Sequence, residues 1–320
     1  MTVLAQGIRF VDLNFQGIAR VIATAVLDGP DGVTLVDPGP TSCLATLQHR
    51  LGELGVSIDD VTSLLLTHIH LDHAGVSGSL VRMNPRVRVY VHERGAPHMV
   101  DPSRLLESAS RLYGDQMDRL WGTFEAVPAG SVHVLSGGET LAVAGRVLDV
   151  AYTPGHASHH VSYFDARSRI AFVGDTAGVR IGSAPFIQPP TPPPDIDLDA
   201  WSISAERILA WQPETLFLTH FGPSQSPANH LQELLERLRT NARIAKAAFD
   251  LGGTDEDQAR HYQQEARLEL RRHMTEAEVT SYELAVPLDH CYLGLARYWR
   301  KRAAGPKKST GSPAPPASKS

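Results

Sequence analysis

The sequence predicts an α/β (α+β) fold built from two β-rich halves, each with helices, that meet at the ends of their strands. Its 320 residues are 42% hydrophobic and 20% charged, a composition that suits a protein with a substantial core. Residues 18–93 and 133–222 both contain strand patterns that end on polar side chains. From residue 223 to about residue 303, the apolar residues have helical spacing.

In the first half, strands are predicted where β-branched and apolar residues cluster, and a helix where apolar residues recur every three or four positions. The turn "DGPDG" separates the first two strands, and a glycine ends the helix. The predicted order is strand 18–27, strand 33–37, helix 42–55, strand 61–67 and strand 86–93.

A helical segment at about residues 95–124 separates the two β-rich halves. Strands in the second half are predicted within 133–156, 159–175 and 215–222, and they end on or just before His156, Asp175 and His220. The stretch "APFIQPPTPPPD", residues 184–195, is too rich in proline for a helix or a central strand. We expect it to form a stiff surface loop near these strand ends. Thr254 and Thr275 are predicted to cap C-terminal helices.

Composition and charge make an enzyme the default expectation. The formal net charge is −5 and there is no basic stripe with interleaved aromatic residues, so nucleic acid is not expected to be the main partner. No apolar run approaches the length needed to span a bilayer, so a membrane is not an expected partner either. The two cysteines, Cys43 and Cys291, have no metal-ligand spacing and are expected to be buried thiols in a reducing compartment. The N-terminus does not resemble a secretion signal, and a cytoplasmic location is predicted.

The segment "THIHLDHAG", residues 67–75, places three histidines and an aspartate just after an apolar strand. In an extended chain, positions i and i+2 point the same way, so His68 and His70 can face one metal ion. If the chain then turns into a helix, Asp72 and His73 can face a second ion. Zinc accepts both imidazole nitrogen and carboxylate oxygen, so these residues predict a metal centre, completed by His156, Asp175 and His220.

This pattern resembles the metallo-β-lactamase superfamily, specifically its dinuclear hydrolase branch, which includes glyoxalase II and the N-acyl-homoserine lactonases. The resemblance covers residues 18–222 and implies a four-layer αββα sandwich with the metals in a cleft at one edge. It also implies the ligand sets: His68, His70 and His156 for one metal, Asp72, His73 and His220 for the other, and Asp175 bridging both. Asp37, in "VDPG", matches an aspartate that supports the ligands from behind.

The domain organisation that follows is a catalytic domain at 1–222 with the helical insertion at about 95–124, a C-terminal helical extension at 223–303, and a disordered tail at 304–320. The resemblance further implies a zinc-dependent hydrolase with two Zn²⁺, or with Fe or Mn in one or both positions. A metal-bridging hydroxide would attack an ester, lactone, thioester or amide carbonyl, with Asp72 as a catalytic residue. The alternative is a mononuclear iron enzyme similar to the persulfide dioxygenases.

Residues around this centre are assigned by proximity. Arg180, five positions after Asp175, is a candidate for binding a substrate oxyanion, and a structural salt bridge is the equal alternative. His159 and His160 are expected to have structural or rim roles, and His98 to be an ordinary polar residue. The 95–124 insertion and the proline-rich segment are predicted walls of the substrate pocket, the C-terminal helices are expected to present a solvated charged face, and a homodimer is possible.

Overall fold

The computed structural model describes residues 2–181 and 186–304, and within them the chain forms two mixed β-sheets with helices. The first sheet has seven strands in chain order: β1 (Thr2–Ala5), β2 (Ile8–Asp12), β3 (Ala23–Gly29), β4 (Gly32–Val36), β5 (Val61–Leu65), β6 (Arg88–His92) and β7 (Val132–Leu135). The second has six: β8 (Thr140–Val143), β9 (Arg146–Tyr152), β10 (Val161–Asp165), β11 (Ile170–Phe172), β12 (Thr215–Leu218) and β13 (Gly222–Ser224).

Eleven helices are described in the same ranges. They are α1 (Leu44–Glu53), α2 (Leu71–Ala74), α3 (Ser77–Met83), α4 (Ala96–Val100), α5 (Ser103–Tyr113), α6 (Met117–Trp121), α7 (Leu198–Ala210), α8 (Pro227–Asp250), α9 (Asp255–Arg271), α10 (Glu276–Ala285) and α11 (Leu288–Ala303). Within the described part of the chain, none of these helices is both long and apolar enough to cross a bilayer.

The two sheets pack face to face, with helices on both outer surfaces. Successive side chains on a strand point to opposite faces, so Ala25 of β3 lies between the sheets whereas its neighbour Val26 packs under the helices of the first half. On β12, Phe217 lies between the sheets and Leu216 packs with α7 and α8. The layers are therefore helix, sheet, sheet and helix, which confirms the predicted αββα sandwich.

The sheet connectivity brings several strand ends to one edge. Strands β4 and β5 are parallel, as are β11 and β12, and β9 runs in the same direction as β11 because each is antiparallel to β10. Carboxyl ends of parallel strands lie at the same edge of a sheet. Each sheet thus has the carboxyl ends of several strands at one edge.

Local structure departs from the sequence-based prediction at three places. The N-terminal hairpin of β1 and β2 was not predicted, and β3 begins at Ala23 rather than at residue 18. The helical pattern at 275–302 is broken between α10 and α11, because Pro287 has no N–H for a helical hydrogen bond and disfavours helical conformation at Val286, which has ψ of 80°.

Other details of the C-terminal region agree with the prediction. The hydroxyls of Thr254 and Thr275 each cap a helix, and both cap positions form capping boxes, with Asp257 and Glu278. Of the predicted disordered tail, residues 305–320 lie outside the described residues, as do residues 184 and 185 of the proline-rich segment.

Candidate metal centre

Seven potential metal ligands lie at the shared edge of the two sheets. His68 and His70 follow β5, and the short helix α2 carries Asp72 and His73. The other three follow strands of the second sheet: His156 after β9, Asp175 in a tight turn after β11, and His220 after β12. The structure thus brings together all seven residues that the sequence nominated, in two donor groups of four and three residues.

The first donor group contains three imidazole nitrogens. His70 Nδ1 lies 3.0 Å from His68 Nε2 and 3.0 Å from His156 Nε2. Nitrogens bound to one tetrahedral zinc, at about 2.0–2.1 Å each, stand about 3.3 Å apart. The three nitrogens are therefore spaced closely enough to share one ion of this kind.

The second donor group is equally compact, but it contains two imidazoles and one carboxylate. His220 Nε2 lies 3.3 Å from His73 Nε2 and 3.2 Å from Asp72 Oδ2, and Asp72 Oδ2 lies 3.7 Å from His73 Nε2. His73 and His220 are fully buried, whereas the Asp72 side chain is 19% exposed. One side of this group is consequently open to the molecular surface.

Asp175 stands between the two groups with one oxygen toward each. Its Oδ2 is 3.3 Å from His156 Nε2 and 4.0 Å from His68 Nε2, both in the first group. Its Oδ1 is 3.4 Å from His73 Nε2 and 3.7 Å from His220 Nε2, both in the second group. A carboxylate in this position can be shared by two cations.

Hydrogen bonds behind the rings aim the ligand nitrogens into the centre. Nδ1 of His156 lies 2.9 Å from the Pro190 carbonyl, and Nδ1 of His220 lies 2.8 Å from the Val21 carbonyl. Because a carbonyl only accepts, each Nδ1 carries the proton and each Nε2 is left with a lone pair. His73 is held in the same way, since its Nδ1 lies 2.9 Å from the Asp37 carboxylate.

The charges in the centre shift the pKa values of its residues in opposite directions. Burial, reinforced by neighbouring imidazoles, lowers the pKa of His68 well below its usual value and that of His70 to about 4. Burial also opposes charge on His73, but Asp72, Asp175 and Asp37 together raise its pKa well above its usual value. Burial acts against ionisation of Asp72 as well, yet His73 and His220 lower its pKa to about 2. The carboxylates therefore carry negative charge at neutral pH.

These residues fit divalent metal ions. Asp175 Oδ1 is buried and accepts no hydrogen bond from any residue within 2–181 and 186–304, and an orphaned buried carboxylate oxygen is costly. The facing lone pairs of His73 and His220 repel each other unless a cation or a proton lies between them. The negative field that raises the pKa of His73 attracts a divalent cation as well as a proton.

The turn that carries Asp175 is fixed from three sides. The Trp201 indole donates to the Thr176 carbonyl at 2.8 Å, and His230 Nε2 donates to the Ala177 carbonyl at 2.8 Å. His160 Nδ1 lies 3.1 Å from the Thr176 hydroxyl. Sequence reasoning missed Trp201 and His230, since nothing in their local patterns indicates a partner in a distant turn.

Gly174 offers a direct test of this turn. Its φ is +45°, and a Cβ there would lie 2.4 Å from Thr67 Oγ1 and 2.8 Å from His160 Nε2. We expect Gly174→Ala to displace Asp175, destabilise the protein by about 1–3 kcal/mol and weaken metal binding, measured by urea unfolding and by metal titration. Gly252→Ala is the matched control, with φ of +72° and no heavy atom within 4 Å of the added Cβ. Equal metal affinity in the two variants would contradict the expectation.

A cavity of about 300 Å³ opens directly onto the centre. It reaches His70, Asp72, His156 and Asp175, and its walls come from α5 and α6, the proline-rich segment and the start of α11. Ligand cavities are typically of this size or larger, mostly apolar, with a few polar groups. The donor groups therefore lie at the wall of a space that a small organic molecule can enter.

Comparison with known proteins agrees with this geometry. The family model described as the metallo-beta-lactamase superfamily matches residues 18–220. The chain belongs to the metallo-β-lactamase superfamily. This confirms the resemblance, and it places the chain among metallo-hydrolases that generally bind divalent metals.

Within the superfamily, the chain is 27% identical over 247 residues to the metallo-beta-lactamase fold-containing protein ST1585 of Sulfurisphaera tokodaii, a match covering 75% of this chain and 88% of that protein. It is 30% identical over 151 residues to a hydroxyacylglutathione hydrolase of Synechococcus sp., but that match covers 47% of each protein. In structure it is similar to the metallo-beta-lactamase family protein TTHA1429 of Thermus thermophilus, with a TM-score of 0.69, 22% identity, and coverage of 94% of this chain and 96% of that one.

Four further side chains named in the sequence-based prediction lie around the centre. Arg180 donates to the Pro223 carbonyl at 2.6 Å and is not among the described residues that line the cavity. His98 does line it, and its assignment as an ordinary polar residue stays a prediction. His159 also lines the cavity, and both His159 and His160 are buried, which fits the structural role of the prediction rather than the rim role.

The C-terminal helices also differ from the prediction. Residues 285–287, with His290 and Cys291, form part of the cavity wall. At this end of α11 the prediction of a solvated charged face is wrong, because side chains of α11 pack against the helical insertion. His290 Nε2, for example, donates to the Leu112 carbonyl at 3.2 Å.

Proposed function

We propose that this chain is a dinuclear zinc-dependent hydrolase of a small-molecule ester, lactone, thioester or amide. The observation that carries the proposal is the position of Asp175, whose two oxygens face two different donor groups. The first group would hold one ion through His68, His70 and His156, and the second would hold another through Asp72, His73 and His220. Similarity to a hydroxyacylglutathione hydrolase supports carbonyl hydrolysis over other chemistry.

Bound divalent ions would supply an acidified water and would polarise a carbonyl oxygen. The carboxylate of Asp72 lines the cavity, and because its pKa is lowered to about 2 it is ionised at neutral pH. An ionised carboxylate accepts hydrogen bonds but cannot donate them, so Asp72 would accept a hydrogen bond from the attacking water and orient it. The buried rings of the other ligands exclude bulk water from the rear of the centre.

The metal content of the protein tests this proposal. We expect protein purified without added metal to contain about two zinc ions per chain and to hydrolyse at least one class of ester or thioester. One iron per chain together with oxygen consumption would overturn it in favour of the mononuclear alternative. Removal of the metal by a chelator should also lower the unfolding free energy by about 4 kcal/mol for each ion lost, if metal is present at a thousand times its dissociation constant.

The chelator experiment has an internal check. Adding zinc back should restore both the unfolding free energy and turnover, whereas magnesium should restore neither, because imidazole ligands suit zinc and Mg²⁺ prefers oxygen ligands. Recovery of stability without turnover would indicate a structural metal and would count against a hydrolytic centre.

A further inference from the structure

We propose that the cavity takes an amphipathic acyl compound, with an apolar segment against α5 and an anionic end group against Arg94 and Arg104. This inference rests on the proposed function, because the donor groups would act on the acyl carbonyl of the compound. It adds the substrate class, which neither the superfamily nor the seven ligands specify. Three features of the cavity carry it: the apolar face of α5, the position of that face relative to the centre, and the basic mouth.

The first feature is the continuous face that α5 presents to the cavity. Leu105, Ala109 and Leu112 line it, at positions i, i+4 and i+7, which lie on one side of a helix. Arg104 and Tyr113 line the cavity at the two ends of this face. They are nine residues apart, which corresponds to about 14 Å along the helix axis. The face is thus long enough to contact an extended medium-length alkyl chain.

The second feature is that α5 and the metal centre border the same cavity. The Tyr113 ring makes edge contacts with Trp121 and His290, each at 5.0 Å between centroids. Burial, followed by the negative charges of Asp72 and other nearby groups, raises the pKa of Tyr113 far above its usual value. Because Tyr113 and Asp72 both line this cavity, the apolar face and the carboxylates of the centre border one space.

The third feature is a basic mouth formed by two arginines that have no salt bridge within the described residues. Arg94 and Arg104 both line the cavity, both are exposed, and neither forms a salt bridge with any residue the structure describes. Arg94 instead lies over the Tyr152 ring, at 5.5 Å. Arg111 lies on α5, as Arg104 does, but it forms a salt bridge with Glu107 at 2.7 Å and does not line the cavity.

The chemistry of the mouth specifies the end group. Guanidinium groups present planar forks of donors that match carboxylate and phosphate oxygens. His98 lines the same region and adds a further donor, whereas the nearby Asp195 already accepts hydrogen bonds from Ser158. Carboxylate and phosphate share the chemistry that the arginines recognise, so the experiment includes both.

The charge arm of the test uses three para-nitrophenyl esters on the metal-loaded protein: octanoate, the mono-ester of octanedioate, and the equivalent acyl chain ending in phosphonate. Each turnover adds one water across the acyl–oxygen bond and releases para-nitrophenol and the free acid. We expect the wild type to prefer an anionic ester over octanoate by about tenfold in kcat/KM. In Arg104→Gln and Arg94→Gln this ratio should fall toward one, whereas the matched control Arg111→Gln should keep it.

The apolar arm compares octanoate with acetate. We expect Ala109→Phe to lower the octanoate-to-acetate ratio of kcat/KM by about tenfold, because the new ring occupies the space of the alkyl chain. Ser110→Phe is the control, since it places the same ring at an exposed position of α5. Leu105→Ala is a second variant in case Ala109→Phe does not fold, and it should lower the same ratio by removing an apolar contact.

A binding measurement separates this inference from the proposed function. Methyl ketone isosteres of the esters cannot be hydrolysed, and their affinities can be measured by calorimetry with the metal-loaded protein. Tighter binding of the anionic ketone, lost in Arg104→Gln, would support the inference even if no ester were hydrolysed and the proposed function failed. Equal affinity and equal kcat/KM for neutral and anionic compounds would overturn the inference while leaving the hydrolase proposal standing.

Discussion

Asp175→Ala is expected to lose metal from both donor groups at once and to lower kcat/KM by about a thousandfold or more, the scale on which removal of an electrostatic element disables an active centre. The reason is geometric, because Asp175 Oδ2 and Oδ1 face different groups at 3.3 Å and 3.4 Å from their nearest imidazole nitrogens. Without this carboxylate, each group keeps three ligands but loses the negative charge between them. Metal analysis after gel filtration, together with ester kinetics, measures both effects.

Asp72→Ala provides the comparison that makes this result specific. Asp72 Oδ2 approaches His220 and His73, both in the second group. We therefore expect Asp72→Ala to retain about one ion per chain, in the first group, and Asp175→Ala to retain less than that under the same conditions. If Asp175→Ala kept two ions and wild-type turnover, the carboxylate would not bridge two metals.

The seven candidate metal ligands could be predicted from the sequence because strand direction and strand ends are local properties. Apolar runs of strand length precede Thr67, Asp175 and His220, and parallel neighbours bring such ends to one edge of a sheet. The i, i+2 spacing of His68 and His70 needed only an extended chain. For these residues, short-range pattern and sheet topology were sufficient.

The side chains around the ligands could not be predicted in the same way, because their positions depend on how remote segments pack. The Thr191 hydroxyl donates to the Cys291 carbonyl at 3.2 Å, and a Cβ on Gly294 would lie 2.0 Å from the Thr191 carbonyl oxygen. These contacts press α11 against the proline-rich segment, one hundred positions away in the chain. No periodicity in either segment indicates that partner.

Arg180 shows how proximity in sequence can mislead. It is five residues from Asp175, but the chain reverses at Gly178, with φ of +77°, and Val179 then forms a bridge with Gln188. The reversal directs the guanidinium toward β13, where it donates to the Pro223 carbonyl. By contrast, Arg104 is distant from every ligand in sequence and reaches the cavity because α5 lies along it, and Arg94 reaches the cavity from the turn between β6 and α4.

Asp37→Asn is the second substitution expected to have a large effect, although Asp37 touches no metal position. Its Oδ2 accepts hydrogen bonds from Thr67 Oγ1 at 2.7 Å, His73 Nδ1 at 2.9 Å and Thr219 Oγ1 at 2.6 Å, and its Oδ1 accepts from the Thr67 amide at 2.8 Å. An amide has one acceptor oxygen and two N–H donors, so at least one buried donor would lose its partner.

We expect the Asp37→Asn protein to bind metal about 10–100-fold more weakly than the wild type and to lose about 1–3 kcal/mol of unfolding free energy for each unsatisfied donor. The loss of metal affinity should be greatest in the second group, because His73 loses the acceptor that keeps its proton on Nδ1. The first group should be affected less, since His68 Nδ1 reaches Asp37 only through the Thr67 hydroxyl, at 3.1 Å. Competition with a chromogenic chelator and urea unfolding of the metal-free protein give the two quantities.

Asp165→Asn separates the effect on the metal from the cost of altering any buried aspartate. Asp165 is as buried as Asp37, at 1% exposure, and it accepts hydrogen bonds from Arg146 and Ser168, each at 2.8 Å, but it contacts none of the seven ligands. We expect its substitution to lower the unfolding free energy while leaving metal affinity at the wild-type value. Equal losses of metal affinity in both variants would show that general destabilisation explains the result. A loss confined to Asp37→Asn would show that the carboxylate orients His73, because only an oriented imidazole presents its lone pair to the ion.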